Sequence, residues 1–246
     1  MYERILLMGG PGTGKTHHLV EVCRWLADQG KEMWVLDLED KVGAFLHGQG
    51  GVPKNMHLVV ALSWEEVRKC IDDWKGKIKK DHWVAVDRVD LAWAFARRWY
   101  AVERYKLELA DKMLKSAKSV PEASMFIPEF PRGAWEVINE TYDYFITNIL
   151  YLFRCNVLLT TGITSSREDA GPFEVFSSVG LAPRGQKELA HQTHTALLLS
   201  SQIERDRMHK VTRSWHYTTA KDLPGRDYVT EEPLYDFVAQ YIELYA

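Results

Sequence analysis

Residues Gly9–Thr16 read GGPGTGKT, with the short apolar run Ile5–Met8 before them and apolar residues at helical spacing after them, over Thr16–Gln29. Four glycines within Gly9–Gly14 let the backbone turn tightly between that strand and that helix. A turn of this kind points several backbone N–H groups at one spot, where the positive end of the helix dipole adds to them. The result is a cradle for phosphate oxygens. The full spacing, G-x-x-x-x-G-K-[ST], adds a lysine for the β- and γ-phosphates of a nucleoside triphosphate and a hydroxyl for Mg²⁺. Gly10, Pro11, Gly12, Thr13, Gly14, Lys15, Thr16 and His17 are therefore the expected nucleotide-binding residues. Lys15 also bears on the transferring phosphoryl, and Thr16 is a magnesium ligand.

The rest of the chain fits a fold built around such a loop. Apolar runs at Met33–Leu38, His57–Leu62 and Trp83–Val86 alternate with helical stretches, and Ser63 with Glu66 forms a capping box for one of them. Near-continuous apolar strands separated by helices indicate an α/β chain with a mostly parallel central sheet, helices covering both faces. Leu91–Lys118 carries no Gly or Pro and reads as a charged amphipathic helix, followed by a loop with Pro121, Pro128 and Pro131. The region of about 91–133 is thus a helical insertion in a single domain spanning 1–246. Ala134–Phe153 reads as helix, Asn156–Thr161 as a buried strand and Gly162–Gln186 as a polar loop. Thr195–Ser200 and Val211–Thr219 form a C-terminal β-hairpin, Pro224–Gly225 a turn, and Leu234–Tyr245 a last amphipathic helix.

Acidic residues at strand ends narrow the chemistry. Asp87 closes the apolar run WVAV and is placed to hold Mg²⁺ as a Walker B aspartate. Arg88 follows it, at the position where many motor ATPases carry a catalytic glutamate, so a water-activating carboxylate must come from another strand. Glu39, just past the end of Met33–Leu38, is that candidate, with Asp37 and Asp40 as rivals. The base-reading N-K-x-D motif of GTPases is missing from the sequence.

The order GGPGTGKT, VLDLE ending on Glu39 and VAVD ending on Asp87 resembles the RecA-like ATPase core. With VLLTTG and GAWEVINETYDYF, it is most similar to small phage-encoded RecA-like ATPases, a group that includes single-domain recombination proteins. The resemblance implies ATP and Mg²⁺ as cofactors, Glu39 as catalytic base and Thr161 as a γ-phosphate-sensing residue where RecA carries glutamine. It also implies a homo-oligomer with active sites between subunits, in which Lys221, or Arg226 as second choice, reaches a neighbour's phosphates. The loop Gly162–Gln186 takes the place that touches DNA in such proteins, and offers Arg167, Arg184 and Lys187 to single-stranded DNA. The expected function is a DNA-dependent ATPase of phage recombination or replication, working in the cytoplasm. A motor or assembly ATPase driven by a protein partner, as in genome packaging, and a small-molecule P-loop kinase remain as alternatives.

Composition excludes other classes. A net charge of −3 rules out a field that attracts nucleic acid over the whole surface, so any DNA contact must be local. The longest apolar runs fall far short of the roughly 20 residues of a membrane helix. Cys23, Cys70 and Cys155 stand far apart in apolar settings, as reduced core residues do. His191 and His194 have no third ligand nearby and read as packing residues or as phosphate-side polar contacts.

Overall fold

The first strand, β1 (Arg4–Gly9), alternates its side chains between two faces, and both are fully buried: Ile5 and Leu7 on one side, Leu6 and Met8 on the other. A strand without a polar face belongs in the middle of a sheet that is covered on both sides. The computed structural model describes residues 2–118, 130–165, 180–185, 189–205, 211–222 and 229–230, and in it β1 holds that place. It pairs in parallel with β5 (Asn156–Thr161) on one side and β8 (Thr195–Arg205) on the other. Beyond β5 come β4 (Trp83–Asp87), β2 (Met33–Asp37) and β3 (Met56–Val60), all parallel. Beyond β8, β9 (Val211–Asp222) and the short β10 (Val229–Thr230) run antiparallel, which gives the expected C-terminal hairpin. The carboxyl ends of β1, β2, β4 and β5 share one edge, so Gly9, Asp37, Asp87 and Thr161 are brought together there.

Helices α1 (Lys15–Asp28) and α2 (Val42–His47) cover the Ile5 face, with Leu19, Cys23 and Leu26 packed on Val35 and Leu158. Helix α1 stops at Gly30, whose φ of +66° suits glycine, while Lys31 donates its N–H to Leu26 at 2.9 Å. The Leu6 face is covered by α3 (Trp64–Trp74), α4 (Val89–Tyr105) and, later in the chain, Arg132–Thr147. The capping box of α3 forms as read: the Ser63 hydroxyl accepts from the Glu66 N–H, and the Glu66 carboxylate accepts from the Ser63 N–H.

Two expectations are corrected. Leu91–Lys118 is not one helix: α4 ends at Tyr105 and α5 (Leu109–Lys118) begins after a left-handed Lys106 at φ +54°. The break lets α5 fold back so that the Lys112 ammonium lies over the rings of Phe130 and Tyr105, at 4.6 and 5.5 Å. Phe130 belongs to a small third cluster with Ala101, Ala134 and Ile138, built where α4 meets α6 (Arg132–Thr147). Second, Gly162–Gln186 is not wholly loop, because β6 (Ile163–Ser165) pairs antiparallel with β7 (Leu181–Pro183) directly beyond β5. The turn at Pro224–Gly225 and the helix read at Leu234–Tyr245 lie outside the described residues. Among the described residues no helix is long and apolar enough to cross a membrane. All three cysteines are buried free thiols, and burial pushes each up to about 12.

Candidate active site

The phosphate loop joins β1 to α1 at the sheet edge. Gly12 and Gly14 sit at φ +74° and +98°, conformations that L side chains rarely adopt. A Cβ on Gly14 would also lie 2.3 Å from Trp215 Nε1. Lys15 folds over the loop and donates to the carbonyls of Gly9 and Gly10, each at 2.8 Å. Burial lowers its pKa, and the Arg88 guanidinium lowers it further, against the carboxylates of Asp87, Asp90 and Glu39.

Thr16 and Asp87, distant in sequence, meet as the two motifs require: Thr16 Oγ1 donates to Asp87 Oδ2 at 2.9 Å. The other oxygen, Asp87 Oδ1, accepts from the Thr160 hydroxyl, which in turn accepts the Arg88 backbone N–H at 2.9 Å. Asp87 is 1% exposed, and burial raises its pKa while the two threonine hydroxyls oppose the rise. A hydroxyl and a carboxylate at the phosphate loop make an all-oxygen pair suited to a hard divalent cation that keeps most of its ligands as phosphate and water. The residues fit Mg²⁺.

The three acidic candidates after β2 separate by what their carboxylates do. Asp37 is fully buried and structural, accepting the N–H groups of Glu39 at 2.9 Å and Val42 at 2.7 Å, which turns the chain into α2. Asp40 is exposed, at φ +56°. Glu39 alone lines the cavity, of about 460 Å³, that also exposes Lys15, Thr16 and Asp87. Its carboxylate is held by Arg88 Nη1 at 2.9 Å and Lys41 Nζ at 2.8 Å. Arg88 in turn grips Asp90 with Nε and Nη2, both at 2.9 Å.

Other expected residues sit elsewhere. Thr161 is buried, and its hydroxyl donates to the Arg184 carbonyl at 3.0 Å rather than lining the cavity. Lys221 pairs across the hairpin with Ala196, level with Leu6 in the middle of β1 and not with Gly9. Its ammonium donates to the carbonyls of Ala190, His191 and Thr193, at 2.9, 3.1 and 2.6 Å, where it caps the short helix Leu189–Gln192. The structure thus holds Lys221 on its own chain. Arg184 follows β7 and packs its side chain against Gly162, while Arg167, Lys187 and Arg226 lie outside the described residues. Among the described residues no cluster of three or more His, Cys, Asp or Glu could hold a metal.

Four residues at the site were not singled out from sequence as parts of it: Thr160, Arg88, Arg213 and Trp215. Trp215 stacks on His17, ring centroids 4.7 Å apart and planes 8° from parallel, and lines the cavity with Arg213. The alternation Arg213, Trp215, Tyr217 places all three on one face of β9, a signal readable in TRSWHYTT.

Among solved structures, the KaiC-like protein PH0186 from the hyperthermophilic archaeon Pyrococcus horikoshii OT3 is similar to this chain, with a TM-score of 0.51. The two are 13% identical, and the likeness covers 93% of this chain and 84% of that one. The fold is RecA-like. No family model and no curated protein sequence matches the chain. In a RecA-like sheet the carboxyl edge of the strands is where a ligand binds, and it is the edge that carries Gly9–Thr16, Glu39 and Asp87 here.

Proposed function

We propose that this chain is a Mg²⁺-dependent ATPase that acts on or with single-stranded DNA, as a homo-oligomer, in recombination or replication of phage type. The observation that carries the ATPase part is the Thr16–Asp87 contact with Glu39 on the wall of the same cavity. Backbone N–H groups of Gly12–Thr16 would take the β- and γ-phosphates, and Lys15 would exchange the Gly9 and Gly10 carbonyls for phosphate oxygens. Thr16 and Asp87 would hold Mg²⁺, which supplies neutralising charge on the phosphates when bound. Glu39 orients the attacking water and accepts its proton. His17 and Trp215 form an aromatic wall beside the loop that suits a stacked base.

The DNA part rests on the segment that follows β5. Thr161 ties the end of β5 to Arg184, so a strand bound at Arg184 would bear directly on the strand that carries Thr160. The chain's charge of −3 makes this a local contact, to be recognised by its salt dependence.

The test is ATP turnover by the full chain with and without single-stranded DNA, beside a direct DNA-binding titration. Turnover that rises with DNA supports the whole reading. Turnover indifferent to DNA, with no DNA retained, removes the DNA part and leaves a partner-driven ATPase. Transfer of the terminal phosphate to a metabolite, without bulk hydrolysis, replaces the reading with a kinase.

A further inference from the structure

Hydrolysis needs positive charge on the terminal phosphate beyond that of the lysine in the loop, and the obvious donor for it, Lys221, has its ammonium on three carbonyls of its own chain. Arg88 stands closer. It follows the aspartate that contacts Thr16, and its side chain lines the same cavity as Lys15, Thr16 and Glu39. The backbone there is left-handed, at φ +65° in a residue with a Cβ. That conformation is unfavourable for a residue with a Cβ. The Thr160 hydroxyl, which accepts the Arg88 N–H, holds the backbone in it. The turn brings the guanidinium back over the sheet edge instead of out along α4.

The hydrogen bonds of the guanidinium are uneven. A guanidinium has five N–H donors, and among the described residues three are used: two in a fork on Asp90 and one on Glu39. The Asp90 fork is the anchor, since Asp90 is 8% exposed and the backbone of Gly185 packs against it. The Glu39 contact is a single bond, and Glu39 keeps a second cation in Lys41 at 2.8 Å. Exchanging that one bond for a phosphate oxygen therefore leaves Arg88 oriented and Glu39 still paired. The planar fork of arginine holds the Asp90 carboxylate by two bonds and leaves a further N–H to face the phosphate, which an ammonium does less well.

We propose that Arg88 is the cation that meets the terminal phosphate from within the same chain, giving up Glu39 to do so and freeing that carboxylate for the attacking water. The inference rests on the reading of the site as one that hydrolyses a triphosphate. In the step, the water oxygen forms a bond to the γ-phosphorus as the bond to the β,γ-bridging oxygen breaks. The electron pair of that bond leaves with the diphosphate, and the water proton passes to Glu39. Arg88 neutralises charge on the γ-oxygens. A diphosphate has no group to draw Arg88 away, so Glu39 stays engaged until a triphosphate is present.

The experiment compares wild type, Arg88→Ala and Arg88→Lys, each as the full chain with its thermal unfolding recorded. Two quantities are read: steady-state ATP turnover, and the dissociation constants of ADP and of the non-hydrolysable analogue AMP-PNP with Mg²⁺. Removing a cation of this kind lowers turnover by about 10³-fold or more, so Arg88→Ala is expected to lose turnover on that scale. Its AMP-PNP affinity should fall by about tenfold, the loss of one charge-assisted contact of roughly 1.4 kcal/mol, while ADP binding stays within about twofold. Arg88→Lys, which keeps the charge and gives a second folded variant, should recover part of the AMP-PNP affinity and less of the turnover. Wild-type turnover that survives in Arg88→Ala overturns the inference alone. A rise in turnover also overturns it, since it would make Arg88 only a restraint on Glu39. An equal loss of ADP and AMP-PNP affinity overturns it as well, by making the effect one on the loop. No turnover in wild type, with or without DNA, overturns the hydrolytic reading and this inference with it.

Discussion

Thr160→Val removes one hydroxyl and keeps the shape of the side chain, which makes it a sharp test of how the site is held. Thr160 is fully buried, so the substitution leaves no void and admits no water. The hydroxyl makes two bonds, donating to Asp87 Oδ1 and accepting the Arg88 N–H at 2.9 Å. A backbone N–H stripped of its acceptor costs about 1–3 kcal/mol, and a buried carboxylate stripped of a donor about 1.5–3 kcal/mol. The two share one centre and relax together, so the expected loss of stability is about 2–5 kcal/mol. For a chain of this size that lowers the Tm by about 4–20 °C. Thr160→Ser keeps both bonds and loses one methyl group, so it should recover all but about 1 kcal/mol. Asp87 reaches Thr16 through its other oxygen. Loosening the carboxylate should therefore weaken the Mg²⁺ dependence of nucleotide binding by about 10–100-fold, the usual scale for a group that orients a ligand. Urea unfolding and a Mg²⁺ titration of ATP binding measure the two effects. A Thr160→Val protein within about 0.5 kcal/mol of wild type, a typical surface-substitution effect, would refute the reasoning.

Four more outcomes are expected. Glu39→Gln should keep ATP affinity within a few-fold and lower turnover by about 10²-fold or more; single-turnover assays read it, and unchanged turnover removes Glu39 as the base. Lys221→Met strips three carbonyls of their donor, so it should cost about 1–3 kcal/mol and lower the Tm; loss of turnover at an unchanged Tm would return Lys221 to a neighbour's phosphates. Gly14→Ala meets both the +98° φ and Trp215 Nε1 at 2.3 Å, so it should cost about 2–5 kcal/mol, and melting unchanged from wild type would contradict that. Burial pushes the His18 imidazole, which bonds the Tyr217 hydroxyl at 2.6 Å, down to about 3. Below the unfolded value of 6.5 the unfolded chain takes up a proton that the folded chain refuses. Stability is thus full above pH 6.5 and falls by about 2 kcal/mol by pH 5. Urea midpoints across that range should slope less in His18→Gln, and equal slopes would rule His18 out as the cause.

What the sequence disclosed, and what it withheld, divides along a physical line. The loop Gly9–Thr16 and the strand ends at Glu39 and Asp87 were legible because each is fixed by local rules: glycine conformations, an apolar run, and the edge at which parallel strands finish. The Thr16–Asp87 contact followed from the two motifs being parts of one site. Thr160 was missed because Thr160 and Thr161 are chemically alike, and only strand register decides which faces Asp87. A shift of one residue exchanges a hydroxyl that donates to Asp87 for one that ties down Arg184. The break at Lys106 was hidden for a related reason. No Gly or Pro marks it, and the left-handed turn is held by packing over Phe130, a residue far along the chain. Arg88 is the most instructive case. In sequence it registered as the lack of a glutamate after Asp87, whereas in the structure its guanidinium holds Glu39 and Asp90 while its backbone N–H donates to Thr160. Partners on three different elements leave no periodic trace, so only the folded chain shows that the residue after Asp87 is tied to the carboxylate at the end of the neighbouring strand.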